Sequence, residues 1–312
     1  RYNLAVIQQN LNLNEEARIN YNHLIKAEKN IKAMINLYNM DIVEGNFYEA
    51  LNTIESILKI KIIENVDKDK AFVLYKLNRI EEAKKICLFY LKKNSKDLGS
   101  LSVIGQCLFH ERKYDEAIKI FEEILQIDSK NLSALNSLAR THNERNDKLK
   151  AEKYYLKALK IDGSSFYLLN NIAGFYRENS SYDKAIDYYK QALLVNPNNA
   201  YIYNNLAKIY FDLNKNEKAL KNSFKALKMK KNDGDIQKTI AFIYLKDHDF
   251  ENGWNYYDGR LDIEDFKEKN NFIKKLNKKL YRSRSLNNQK GKFLIVRNKE
   301  LEMKYFIVLC MK

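Results

Sequence analysis

Compared with itself, the chain repeats every 34 residues, or 33 near its start, and no other feature restricts its fold as strongly. A small residue recurs at Ala17, Ala50, Ala83, Ala117, Ala151, Ala185, Ala219 and Gly253. Twelve positions before each stand Ala5, Tyr38, Ala71, Gly105, Ala139, Ala173, Ala207 and Ala241, and four positions after each stand Tyr21, Ile54, Cys87, Phe121, Tyr155, Tyr189, Ser223 and Tyr257. Spacings of three and four put side chains on one face of a helix. Each period therefore predicts two helices that cross where both offer a small side chain, with bulkier side chains filling the surrounding gap.

Composition agrees with an ordered helical chain: 45% of residues are hydrophobic, 30% are charged and proline occurs once. Cys87, Cys107 and Cys310 show neither a CxxC pair nor metal-ligand spacing, so a reducing, cytoplasmic setting is expected. No apolar run approaches the roughly 20 residues that cross a bilayer, and the start has no secretory pattern. Because Arg1 falls inside a helical pattern, the chain reads as a fragment whose start lies upstream.

The net charge of +15 is unevenly placed: residues 267–312 hold 14 Lys/Arg against 3 Asp/Glu, and the preceding 266 residues hold 41 against 37. A phosphate-binding groove needs its positive excess along the repeats, so no nucleic-acid partner is expected.

The columns resemble the tetratricopeptide family, most visibly where Asn171, Ile172, Ala173, Gly174 and Tyr176 are followed by Tyr182, Ala185, Tyr189, Ala192 and Pro197. The resemblance implies an all-α fold, a right-handed α-solenoid of about eight tetratricopeptide helix pairs with a short basic tail. Residues 1–30 form a partial first repeat and 31–267 the repeats; 268–290 form a basic connector and 291–312 a strand with a truncated or frame-shifted remnant of a C-terminal domain. A pentatricopeptide array would need a 35-residue period.

The family resemblance also implies that the first helix of each unit lines a concave face that takes an extended peptide. Asn3, Asn36, Asn171 and Asn205 recur two residues before the column that begins with Ala5 and Tyr38, with Asp69 and Ser137 in the same place in two other units. An amide offers one donor group and one acceptor, so such a ladder can pair with a peptide backbone. It resembles the asparagine ladder of the O-linked N-acetylglucosaminyltransferase repeats. In an Asn-rich chain the same residues also read as helix caps or solvated positions. Arg140, Arg177 and Lys208 on that inner face read either as contacts for an acidic partner or as solvated charges. No catalytic residue, metal site or cofactor is expected: His23, His110, His142 and His248 are scattered, and no glycine-rich phosphate loop occurs. The expected partner is a protein or peptide.

The segment from Asp249 to Leu261, with the single Trp254, resembles the last repeat of bacterial proteins whose repeats lead into a glycosyltransferase-like domain. Lys292, Phe293, Leu294, Ile295 and Val296 then read as the strand opening such a domain. One base inserted after the Arg297 codon can restore the family's Glu-Gln-Gly-Ile-Gly-Asp-Glu segment. This gives an alternative function as the substrate-recruiting arm of a glycosyltransferase-like protein.

Overall fold

The computed structural model describes residues 1–259. The connector and strand expected after residue 267 lie outside the described residues. Sixteen helices follow one another among the described residues. The first eight are α1 (Tyr2–Asn10), α2 (Asn14–Glu28), α3 (Ile31–Glu44), α4 (Phe47–Ile60), α5 (Glu64–Lys76), α6 (Ile80–Lys93), α7 (Leu98–His110) and α8 (Tyr114–Ile127). They continue as α9 (Leu132–Glu144), α10 (Lys148–Ile161), α11 (Phe166–Glu178), α12 (Tyr182–Val195), α13 (Ala200–Asp212), α14 (Asn216–Met229), α15 (Gly234–Lys246) and α16 (Phe250–Gly259). The fold class is an all-α repeat solenoid, in which each odd helix pairs with the even helix that follows it.

Two short sequence columns set the ends of these helices. Asp97, Asn131, Asn199 and Asp233, spaced at multiples of 34, are N-caps whose side chains accept hydrogen bonds from backbone N–H groups in the first turn. At the other end of the odd helices, Asn78, Arg112, Asn146, Ser180, Asn214 and His248 take left-handed backbone conformations, with φ between 57° and 62°. At Arg112, for example, its own N–H donates to the Phe109 carbonyl and the next N–H, of Lys113, donates to the Leu108 carbonyl. This is a Schellman stop, which turns the chain into the even helix and satisfies carbonyls the helix end would leave free. Asparagine fills five of these cap and turn positions.

Packing follows the small-residue columns. Ala5, Ala17, Ala71, Ala83, Ala139, Ala151, Ala173, Ala185, Ala207 and Ala219 are all fully buried. The approach is closest at the glycines: a Cβ on Gly105 would lie 2.5 Å from the Phe121 ring, and one on Gly253 2.6 Å from Leu245. Tyr38 stands in a small-residue column and is buried nonetheless, its hydroxyl reaching out of the core to donate to Asp69 at 2.8 Å.

The described residues fall into two compact units, residues 1–197 (α1–α12) and residues from 198 onward (α13–α16). In the first unit, successive helix pairs share cores such as Met34, Tyr38, Ile54, Leu74, Cys87 and Val103, and polar bonds one repeat apart join them. The Asn36 amide donates to the hydroxyls of Tyr2 and Tyr21, and the Asn171 amide to Asn136 at 2.8 Å. Lys68 pairs with Asp97 at 2.7 Å, and Arg18 with the buried Asp41 at 2.6 Å. The second unit is built alike: Asp235 accepts from Asn204 at 2.8 Å and from Lys208 at 2.6 Å.

Candidate functional site

Within the first unit α5, α7, α9 and α11 pack in succession on one another, and no even helix there packs comparably on the next even one. These four odd helices are thus the more crowded side of the stack, which we term its inner face. In the second unit α13 packs on α15 in the same way.

All seven residues singled out in the sequence lie on odd helices. Asn3 on α1 is exposed, and Asn36 on α3 and Asn171 on α11 are half-buried. The two half-buried asparagines direct their amide N–H groups into the stack, towards Tyr2 and Tyr21 in one case and Asn136 in the other. Asn205 on α13 and Arg177 on α11 are half-buried. Lys208 is ion-paired with Asp235, whereas Arg140 is exposed and stacks over the Phe109 ring, its Cζ 5.0 Å from the ring centroid. Asn205 and Lys208 belong to the second unit and the other five to the first.

The charges and aromatics around these residues complete the picture. Burial raises the Asp69 carboxyl above its ordinary range, opposed by the hydrogen bond donated by Tyr38. Burial also raises the Tyr75 phenol, while the Arg140 guanidinium pulls it down and Tyr167 pushes it up. Lys76 lies over the rings of Phe72 and Tyr75, at 5.3 and 5.5 Å. This aromatic component of the inner face has no counterpart in the small-residue columns of the sequence. Its signal is the placement of Phe72, Phe109 and Tyr167 outside the small-residue columns.

No group of three metal-ligating side chains occurs among the described residues. Burial pushes the Cys87 thiol up to about 12 and the Cys107 thiol up to about 11, which makes both poor nucleophiles. His23, His110 and His248 are exposed. His142 is buried in a column held by Tyr176, Tyr210 and Tyr244 in the later repeats, and stacks on Tyr154 at 5.5 Å. No described helix is long and apolar enough to cross a membrane.

A tetratricopeptide repeat family model matches residues 98–164 and 164–232, beginning at the first residue of α7. No curated protein matches the chain in sequence. Among solved structures, the human IFIT1 dimer with m7Gppp-AAAA is 16% identical with a TM-score of 0.57, covering 84% of this chain and 68% of its own. A tetratricopeptide repeat protein from Parabacteroides merdae is 14% identical with a TM-score of 0.55, covering 77% of this chain and 97% of its own. A thermophilic tetratricopeptide protein of Thermus thermophilus is 21% identical with a TM-score of 0.51, covering 59% of this chain and 100% of its own. These three likenesses concern the fold. With small-residue columns buried at the helix crossings and a family match that starts on a helix-pair boundary, residues 98–232 are tetratricopeptide repeats.

Proposed function

We propose that this chain is a protein-interaction scaffold that binds an extended peptide along the inner face of its odd helices. One observation carries the reading: α5, α7, α9 and α11 lie side by side and present amide, aromatic and cationic side chains at successive repeats. A surface fixed in advance by core packing loses little freedom when a ligand lies along it, so more of the contact energy appears as affinity. The asparagine ladder of Asn3, Asn36, Asn171 and Asn205 contributes chiefly through amide oxygens where the N–H groups are held by neighbouring repeats. Arg140, Arg177 and Lys208 supply charge.

The test selects binders from a random peptide library against the full chain, then repeats binding with a photoreactive residue in each peptide. Crosslinks should map to α5, α7, α9 and α11. Crosslinks confined to even helices, or no selected binder, would refute the reading.

A second reading is favoured by the Asp249–Leu261 segment with Trp254: the repeats serve as the substrate-recruiting arm of a glycosyltransferase-like protein. Sequencing the gene from the Gly291 codon onward tests it. A continuing open frame through a Gly-Ile-Gly segment supports the arm; a frame without it removes this reading and leaves the scaffold.

A further inference from the structure

We propose that the face of α5, α7, α9 and α11 takes an extended acidic peptide in which carboxylates alternate with aromatic or aliphatic side chains. Arg140 and Lys76 meet the carboxylates, and Tyr75, Phe109 and Tyr167 form the apolar floor. This rests on the scaffold reading above and specifies its ligand.

The inner-face cations fall into two kinds. Lys68 is held by Glu64 and Asp97, each at 2.7 Å, and Lys208 by Asp235. Lys76 and Arg140 have no carboxylate within ion-pair distance among the described residues, and rest on rings instead. A cation over a ring keeps its outward N–H groups available, and the ring holds it in place before a partner arrives. Charge-assisted hydrogen bonds to a carboxylate are the strongest interaction such groups can add.

The floor is exposed in the same place. Tyr167 is 57% exposed, and Tyr75 and Phe109 are half-buried. Arg140 and Tyr167 act on the Tyr75 phenol in opposite senses, which brings residues of α5, α9 and α11 into electrostatic reach of one another.

Peptide is favoured over nucleic acid by the acidic groups nearby. Glu144 and Glu178, at the C-terminal ends of α9 and α11, act on Tyr155 together with Arg140 and Tyr167. A continuous phosphate backbone would meet repulsion there, whereas a peptide can place its carboxylates singly.

The experiment measures fluorescence anisotropy on the full chain at physiological salt. The probe is a labelled peptide of alternating Glu and Phe. Comparators replace Glu by Gln or Phe by Ala, and an oligoadenylate RNA serves as a third. Arg140→Ala, Tyr167→Ala and the outer-face control Leu149→Ala alter exposed side chains, and circular dichroism confirms their fold. The basic tail is the same in every variant, so differences between variants read the face alone. The Glu/Phe peptide should bind about tenfold tighter than either altered peptide. Arg140→Ala and Tyr167→Ala should each weaken it several-fold, with Leu149→Ala matching the parent. Equal affinity for the Gln peptide, no effect of Arg140→Ala and Tyr167→Ala, or RNA binding with the same dependence on these residues would overturn the proposal. Neutral library peptides crosslinking to the odd helices would overturn this ligand chemistry while leaving the scaffold reading standing. No crosslink to any odd helix would overturn both.

Discussion

Adding a single methyl group at Gly105 should destabilise the α7/α8 pair, although alanine is the better helix former. The new Cβ would stand 2.5, 2.8 and 3.0 Å from three carbons of the Phe121 ring. Relaxed carbon–carbon contacts lie at roughly 3.5–4.0 Å, so the ring must retreat by about 1 Å. It has little room, being 1% exposed and packed among Leu101, Ala117, Ile118, Ile124, Ala134 and Leu138. Overpacking of this kind costs about 1–3 kcal/mol, toward the upper end for a contact this short, and the gain in helix propensity returns about 1 kcal/mol, leaving a net loss of up to about 2 kcal/mol. Gly174 is the internal control. Its Cβ would meet nothing closer than the Tyr189 hydroxyl at 3.9 Å, so Gly174→Ala should gain about 1 kcal/mol. Urea midpoints followed by far-ultraviolet circular dichroism compare the two, and Phe121→Leu in the Gly105→Ala background should recover part of the loss. A Gly105→Ala protein as stable as its parent, or both alanines shifting stability in the same direction, would refute the packing argument.

Arg112 and Ser180 hold left-handed turns at φ 60° and 58°. Glycine at either should raise the thermal midpoint by removing about 1–2 kcal/mol of strain against about 0.5–1 kcal/mol of added chain entropy. Burial lowers the His142 pKa, with Asp147 opposing and Lys150 and Arg145 assisting. The stabilisation from keeping His142 neutral is therefore full above the unfolded value of about 6.5 and is lost as the pH falls below it. His142→Phe should show a shallower decline in stability over that range, and an unchanged pH slope would count against this. Arg18→Met would leave Asp41, 2% exposed, without its cation and should cost about 3 kcal/mol near neutral pH. That penalty should shrink as acid protonates the carboxyl, which a denaturation series against pH would show.

The helix pairs were legible in the sequence because small side chains at a crossing leave no alternative. Ala139 and Ala151, or Ala173 and Ala185, announce themselves by spacing alone. Tyr38 showed that a column can also be held by a residue long enough to carry its polar end out of the core. The turn residues were missed although Asn12, Asn78, Asn146 and Asn214 recur at intervals of 66 to 68, because a left-handed residue has no hydrophobic signature. The candidate face was legible in part. Spacing placed Asn36, Asn171 and Arg140 on odd helices, but whether an amide points into the stack or a guanidinium rests on a ring depends on the neighbouring repeat. A period measures position along one helix and says nothing of what stands across from it.

The polar bonds between repeats differ from joint to joint, and this bears on how an array of near-identical parts avoids assembling out of order. The alanine columns are interchangeable, so a helix pair docked against the wrong neighbour would still bury its core. The joints are not interchangeable: amide to phenol at Asn36, phenol to carboxylate at Tyr38, ammonium to carboxylate at Lys68, amide to amide at Asn171. If the pair after α3 and α4 were skipped, Val103 would take the place of Asp69 and leave the Tyr38 hydroxyl without an acceptor, a penalty of about 1–3 kcal/mol. Each joint thus carries an address, and a misplaced neighbour is rejected by its polar groups after its hydrophobic ones have accepted it.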